Sequence, residues 1–249
     1  MIGVSGRIGA ARLAAAAGLA AVAHCAPALT ALTRLRISLF PRLAGLGDPD
    51  HVALTFDDGP HPASTPHFLE ALGTRGVRAT FFLLGSMLER RPELGRDLVA
   101  AGHEVAVHGW AHRNLLLERP AATYYELARA QTLIAETTGT RPRFFRPPHG
   151  ILSLPALLAA RKLELTPVLW TRWGKEWTRS ATPGSVCDTL TVGLTGGATV
   201  LLHDSGCTFV SGSWRFGLAA LPRLLDHCAE RGLQVGPLGE HWRGVASCS

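Results

Sequence analysis

Thr55-Phe56-Asp57-Asp58-Gly59-Pro60 closes an apolar run that begins at His51, and the fold turns on how this stretch is read. The run 51–56 is short, β-branched and aromatic, which predicts a buried strand. Two neighbouring carboxylates at a strand end repel each other, so the pair is costly to hold without a nearby cation. One Asp can ligate a metal while the other stays free as a base. A turn in which Asp57 or Asp58 caps the next helix accounts for the same letters. Gly59-Pro60 turns the chain and keeps both acids at the rim.

Outward from this stretch, strands are expected at 79–84, 104–108, 143–146, 166–171, 199–203 and 234–235. Between them, helices are expected at 64–75, 92–101, 121–138, 154–163, 184–194 and 216–231, from the 3.6-residue apolar period and from Ser/Thr or Pro starts. Strand–helix alternation with short connections predicts an α/β fold with a parallel sheet. About seven such units make an incomplete or distorted barrel, with its chemistry at the C-terminal strand ends.

Three further strand ends carry titratable or donor groups. His108-Gly109-Trp110-Ala111-His112 spaces two histidines at i and i+4, which share one face of a helical turn and can grip one cation. With one Asp, that makes a three-ligand site with a position open for water. Phe144-Phe145-Arg146-Pro147-Pro148-His149-Gly150 ends a strand in an arginine able to pair with a carboxylate. Its two prolines leave the His149 N–H as the first backbone donor, suited to an oxyanion. Val200-Leu201-Leu202-His203-Asp204 puts at a rim a histidine able to protonate a leaving amine. Each also has a structural reading: a chance histidine spacing, a turn with a surface arginine, a satisfied core histidine.

Taken in order, these motifs resemble those of the polysaccharide deacetylases with a NodB homology domain, a group of carbohydrate esterases. The likeness runs from about Asp50 to Leu238 through TFDDGP, H-x-x-x-H, RPPHG, a Trp-rich segment at 170–177 and LLHD. It implies a distorted (β/α)7-type barrel and a divalent metal, usually zinc, on Asp58, His108 and His112. It further implies Asp57 as general base, His203 as general acid and Arg146 orienting Asp57. His149, Pro148, Trp170 and Leu202 would contact substrate, the last two around the acetyl methyl. The implied partner is an N-acetylated poly- or oligosaccharide. Departures are His149 for a common tyrosine, Gly109 for Ser/Thr, Arg113 for proline, and Trp173 and Glu176 where two aspartates are frequent. Glu176 can support His203 with its longer reach. Alternatives within the fold are hydrolysis of a small acylated metabolite or formamido sugar, and a carbohydrate-binding pseudoenzyme.

The chain has 249 residues and a formal charge of +6. Residues 1–47 hold five arginines and no acid, while residues 48–249 carry 20 basic and 19 acidic groups. That distribution argues against a nucleic-acid partner, which needs the charge on the folded domain. The expected division is an arm at 1–47, the catalytic domain at 48–240 and a tail at 241–249, with Gly45-Leu46-Gly47-Asp48-Pro49 as the break. The alanine-rich arm reads as a secretory signal, with Ala21-Val22-Ala23 as a cleavage site, as a membrane anchor through residues 8–33, or as a helix packed on the domain. The first two place the protein outside the cell or at its envelope; the third allows a cytoplasmic location. Five cysteines without a C-x-x-C pair argue against a cysteine-built zinc site and read as buried free thiols.

Overall fold

A computed structural model describes residues 3–206 and 210–242, with no side-chain detail before residue 12. The arm comprises α1 (Gly3–Cys25), a 3-10 turn (Ala26–Ala31) and α2 (Thr33–Leu39). The domain follows as β1 (His51–Asp57), α3 (Thr65–Gly73), β2 (Thr80–Leu83), α4 (Gly85–Arg90), α5 (Pro92–Ala100), β3 (Glu104–Val107), α6 (Pro120–Thr138) and β4 (Phe144–Phe145). Then come α7 (Leu154–Lys162), β5 (Thr166–Pro167), β6 (Arg172–Trp173), α8 (Pro183–Thr191), β7 (Thr199–His203), α9 (Trp214–Glu230), β8 (Gln234–Gly236) and α10 (Leu238–His241). All ladders are parallel, in the order β5-β4-β3-β2-β1-β7-β6, with β8 pairing the start of β1. β1 is buried along its whole length, as a central strand covered on both faces must be. Helices α3, α5, α6, α8 and α9 press their apolar stripes onto the outside of the sheet around Phe56, Phe81 and Leu202.

The strand expected at 166–171 is split, and the reason is visible in its carbonyls. Thr166 and Pro167 pair with β4, while Arg172 and Trp173 pair with β7. Between them the barrel has a gap. There, buried Arg146 donates to the carbonyls of Val168 and Leu169, and buried Arg36 of α2 donates to that of Trp170. The Leu43 carbonyl accepts from Leu169 N–H. Two guanidiniums and a piece of the arm thus satisfy backbone groups that a neighbouring strand would otherwise take up.

Arg36 also donates to the Thr30 carbonyl at 2.6 Å and lies 5.6 Å from the Trp170 ring centre. Burial, with Arg146 close by, lowers its pKa to about 10, so it stays charged at neutral pH. Residues 12–23 of α1 are exposed apart from partial contacts at their C-terminal end, where His24 bonds the Leu116 carbonyl. The stretch Arg12–Ala31 is long and apolar enough to cross a membrane, with mean hydropathy 1.6 and 6% burial. At the other end, His241 and Trp242, read from sequence as the start of a tail, pack against the domain: His241 is fully buried, and Trp242 donates to the Leu46 carbonyl. Cys25 is exposed and Cys187 and Cys228 are buried free thiols; Cys207 and Cys248 lie outside the described residues.

Candidate active site

Asp57 is the last residue of β1, paired in register with Phe82 on one side and His203 on the other. Strand alternation would send Asp58 to the opposite face. Its left-handed φ of 75° breaks the alternation, and the carboxylate meets His108 and His112. Asp is among the few non-glycine residues that adopt this conformation at modest cost.

The two histidines reach Asp58 from a loop, not from a helix. Gly109 has φ 87° and His112 φ 54°, so residues 108–112 curl back on themselves and the expected helical turn does not form. His108 Nε2 and His112 Nε2 each lie 3.3 Å from Asp58 Oδ1, and the three ligand atoms fall within 4.8 Å of one another. Donors about 2.1 Å from a tetrahedral cation stand about 3.4 Å apart, so the spacing fits a divalent metal. His108 Nδ1 sits 2.8 Å from the Arg146 carbonyl, which assigns the proton to Nδ1 and leaves the Nε2 lone pair for a cation. Burial would raise the pKa of Asp58, but the His108 bond and the surrounding histidines override it and hold the carboxyl low. Burial, reinforced by His108, lowers His112 to about 4, the neutral form a metal needs.

Asp57 stands beside this trio, its Oδ2 3.7 Å from His108 Nε2. Its other oxygen accepts from Arg146 at 2.8 Å, and the same guanidinium nitrogen donates to Thr55 Oγ1. Arg146 is fully buried and packs 4.0 Å from the Phe82 ring centre. Burial lowers its pKa, and the Asp57 carboxylate opposes that shift.

On the facing strand, His203 Nδ1 bonds Glu176 Oε1 at 2.8 Å, and the same oxygen accepts the His203 backbone N–H at 2.7 Å. Burial alone would lower His203; Glu176 outweighs it and lifts the pKa to about 9. The longer glutamate fits because of Gly174, where a Cβ would sit 2.7 Å from both Glu176 Oε2 and the Leu202 side chain. Lys175, with φ 54°, completes that tight turn.

Asp57, His108, His112, His149, His203 and a tryptophan wall enclose a cavity of about 200 Å³. Trp170 belongs to that wall, as do Trp173 and Trp177, whose ring centres lie 5.6 Å and 5.4 Å apart along the row. Two substrate contacts expected from sequence are corrected. Leu202 points away from the cavity into the core under α8 and α9, because residues alternate along β7; Leu201, in phase with His203, lines the cavity instead. Pro148 is buried behind the rim: the left-handed φ of 59° at His149 presents His149 and Gly150 to the cavity. Period-two counting back from His203 would have found Leu201. The tryptophan spacing alone carried the signal for Trp173 and Trp177. Nothing in the sequence marked Arg36 or the Gly174 notch.

Comparison with known proteins gives the chain a family and a fold. The polysaccharide deacetylase family profile matches residues 45–168. A chitooligosaccharide deacetylase from Bradyrhizobium sp. (strain ANU 289) is 36% identical over 195 residues, covering 75% of this chain and 88% of that protein. A peptidoglycan-N-acetylglucosamine deacetylase from Listeria monocytogenes is 34% identical over 153 residues, 61% of this chain and 32% of the longer relative. Among solved structures, a family 4 carbohydrate esterase from Streptomyces lividans in complex with acetate superposes with a TM-score of 0.67 at 33% identity, covering 75% of this chain and 92% of that one.

Proposed function

The chain belongs to the polysaccharide deacetylase family, a hydrolase class acting on N-acetylated sugars, and from that premise we propose that it removes N-acetyl groups from glucosamine-type poly- or oligosaccharides through the site described above. One observation carries this reading: Asp57, His108, His112 and His203 line a single cavity from three different strand ends, and Asp58 lies within ligand distance of His108 and His112. Their two-carboxylate, three-imidazole chemistry is that of metal-assisted amide hydrolysis.

Asp58, His108 and His112 would hold the cation, and two imidazoles with one carboxylate suit zinc. When bound, it supplies Lewis acidity to the acyl carbonyl and to the attacking water. Asp57 takes the proton of that water, with Arg146 fixing which carboxylate oxygen faces the cavity. The His149 backbone N–H donates to the developing oxyanion. Protonated His203, held by Glu176, delivers its proton to the departing sugar nitrogen. Leu201 and the tryptophan row give the acetyl methyl and the sugar's apolar face a dry wall.

Acetate release measures this directly. The purified chain with zinc is expected to release acetate from N-acetylated chitooligosaccharides or peptidoglycan fragments, and to stop when a chelator strips the metal. No acetate from any N-acetylated glycan under zinc-replete conditions would sink the reading.

A further inference from the structure

His149 and His112 are both non-glycine residues in the left-handed region, with φ 59° and 54°, and they face each other across the cavity mouth. Their rings meet edge to face with centres 4.4 Å apart. The His149 ring also lies close to the main chain of His112. A sparsely populated backbone conformation persists only where its surroundings over-determine it, and the His149 ring is one of those surroundings at His112. The two contacts restrain both the backbone and the imidazole plane of His112, whose Nε2 must aim at Asp58 Oδ1.

We propose that the His149 side chain is a positioning residue for the metal site, bracing His112 so that its Nε2 stays directed at the position shared with Asp58 and His108. The role is specific to the imidazole at this position and is separate from any contact of the His149 backbone with substrate. Groups that orient a metal ligand typically change affinity by about 10–100-fold when removed. The brace therefore governs metal retention more than the chemical step.

The inference rests on the metal site of the preceding section, and its test reads metal affinity instead of turnover. Zinc dissociation constants are measured by chelator competition for wild type, His149→Ala and His149→Gly. Thermal unfolding of the metal-free proteins is recorded alongside. Glycine relieves the left-handed backbone, so it separates the ring's contribution from strain. Both variants are expected to bind zinc about 10–100-fold more weakly, with metal-free unfolding close to wild type. Wild-type affinity in His149→Gly overturns the brace, as does a loss of metal-free stability that accounts for the weaker binding. A wild-type chain that binds no divalent metal overturns the brace and the metal-dependent reading together. Absent deacetylation with the affinity losses intact overturns the deacetylase reading alone.

Discussion

The two ends of the barrel each hold a pair of histidines, and they are built to opposite ends. At the floor, His51 Nδ1 and His241 Nδ1 lie 2.9 Å apart, while His241 Nε2 reaches the Gly45 and Gly197 carbonyls at 3.1 Å. That pattern places the His241 proton on Nε2 and makes its Nδ1 the acceptor of the His51 N–H. The floor pair is turned inward on itself and on the backbone. At the rim, His108 spends Nδ1 on the Arg146 carbonyl, and both Nε2 atoms converge on a carboxylate beside a cavity. Burial lowers the pKa of members of both pairs, so a lowered pKa does not distinguish structure from function here. What distinguishes them is where the remaining lone pairs point.

The largest expected effect tests that distinction on activity. Asp57→Asn keeps the Arg146 contact and the shape of the rim but removes the base, so kcat should fall by about 10²–10⁴-fold while zinc binding persists. His241→Gln at the floor should leave kcat within reach of wild type. Near-normal turnover in Asp57→Asn with metal bound would erase the difference between the two ends.

The gap between β5 and β6 gives the next effect, and it is one of stability. Arg36→Ala strands the buried Trp170 and Thr30 carbonyls and loosens the arm from the tryptophan wall. A charge-assisted bond of this kind contributes about 1.5–3 kcal/mol, so denaturant unfolding should show a loss of about 2–3 kcal/mol. Unchanged stability would mean that the arm's clamp contributes nothing to closing the barrel.

The sequence displayed this molecule unevenly. Strand positions and the titratable rim were legible because β1, β2, β3 and β7 are buried runs that end in polar clusters, and local pattern suffices for those. The split of 166–171 was not legible, because it depends on Arg36 and Arg146 arriving from elsewhere in the chain to take its carbonyls. The loop at 108–112 was misread as a helical turn because i, i+4 spacing cannot reveal left-handed φ at Gly109 and His112. Leu202 was a parity error on a correctly placed strand. Glu176 was readable as a residue type, but its room to reach His203 depends on Gly174, which only three-dimensional packing discloses.

His203 and Glu176 provide a smaller, sharper effect. A general acid must be protonated, and with His203 raised to about 9 the rate should hold through neutral pH and fall as pH climbs past that value. Glu176→Gln removes the largest influence raising it while burial continues to lower it. The alkaline limb of kcat/KM should then move down toward or below the ordinary histidine value of about 6.5. An unmoved limb would assign the acid to another group.

The smallest effect contrasts rim and floor by the sign of their stability–pH slopes. His203 has a folded pKa above its unfolded value, so its contribution is complete below about 6.5 and disappears as pH rises through about 9. His241 is the reverse: burial lowers it to about 4, and the unfolded chain binds the extra proton between that value and about 6.5. Its contribution is therefore complete above about 6.5 and declines as pH falls toward 4. Replacing His241 with Gln, which cannot titrate, should flatten the acid-side slope of Tm against pH and leave the alkaline side as it was. Glu176→Gln should flatten the alkaline side. If one substitution flattens both sides, the two ends are coupled through β1, and the floor is no longer a separate structural element.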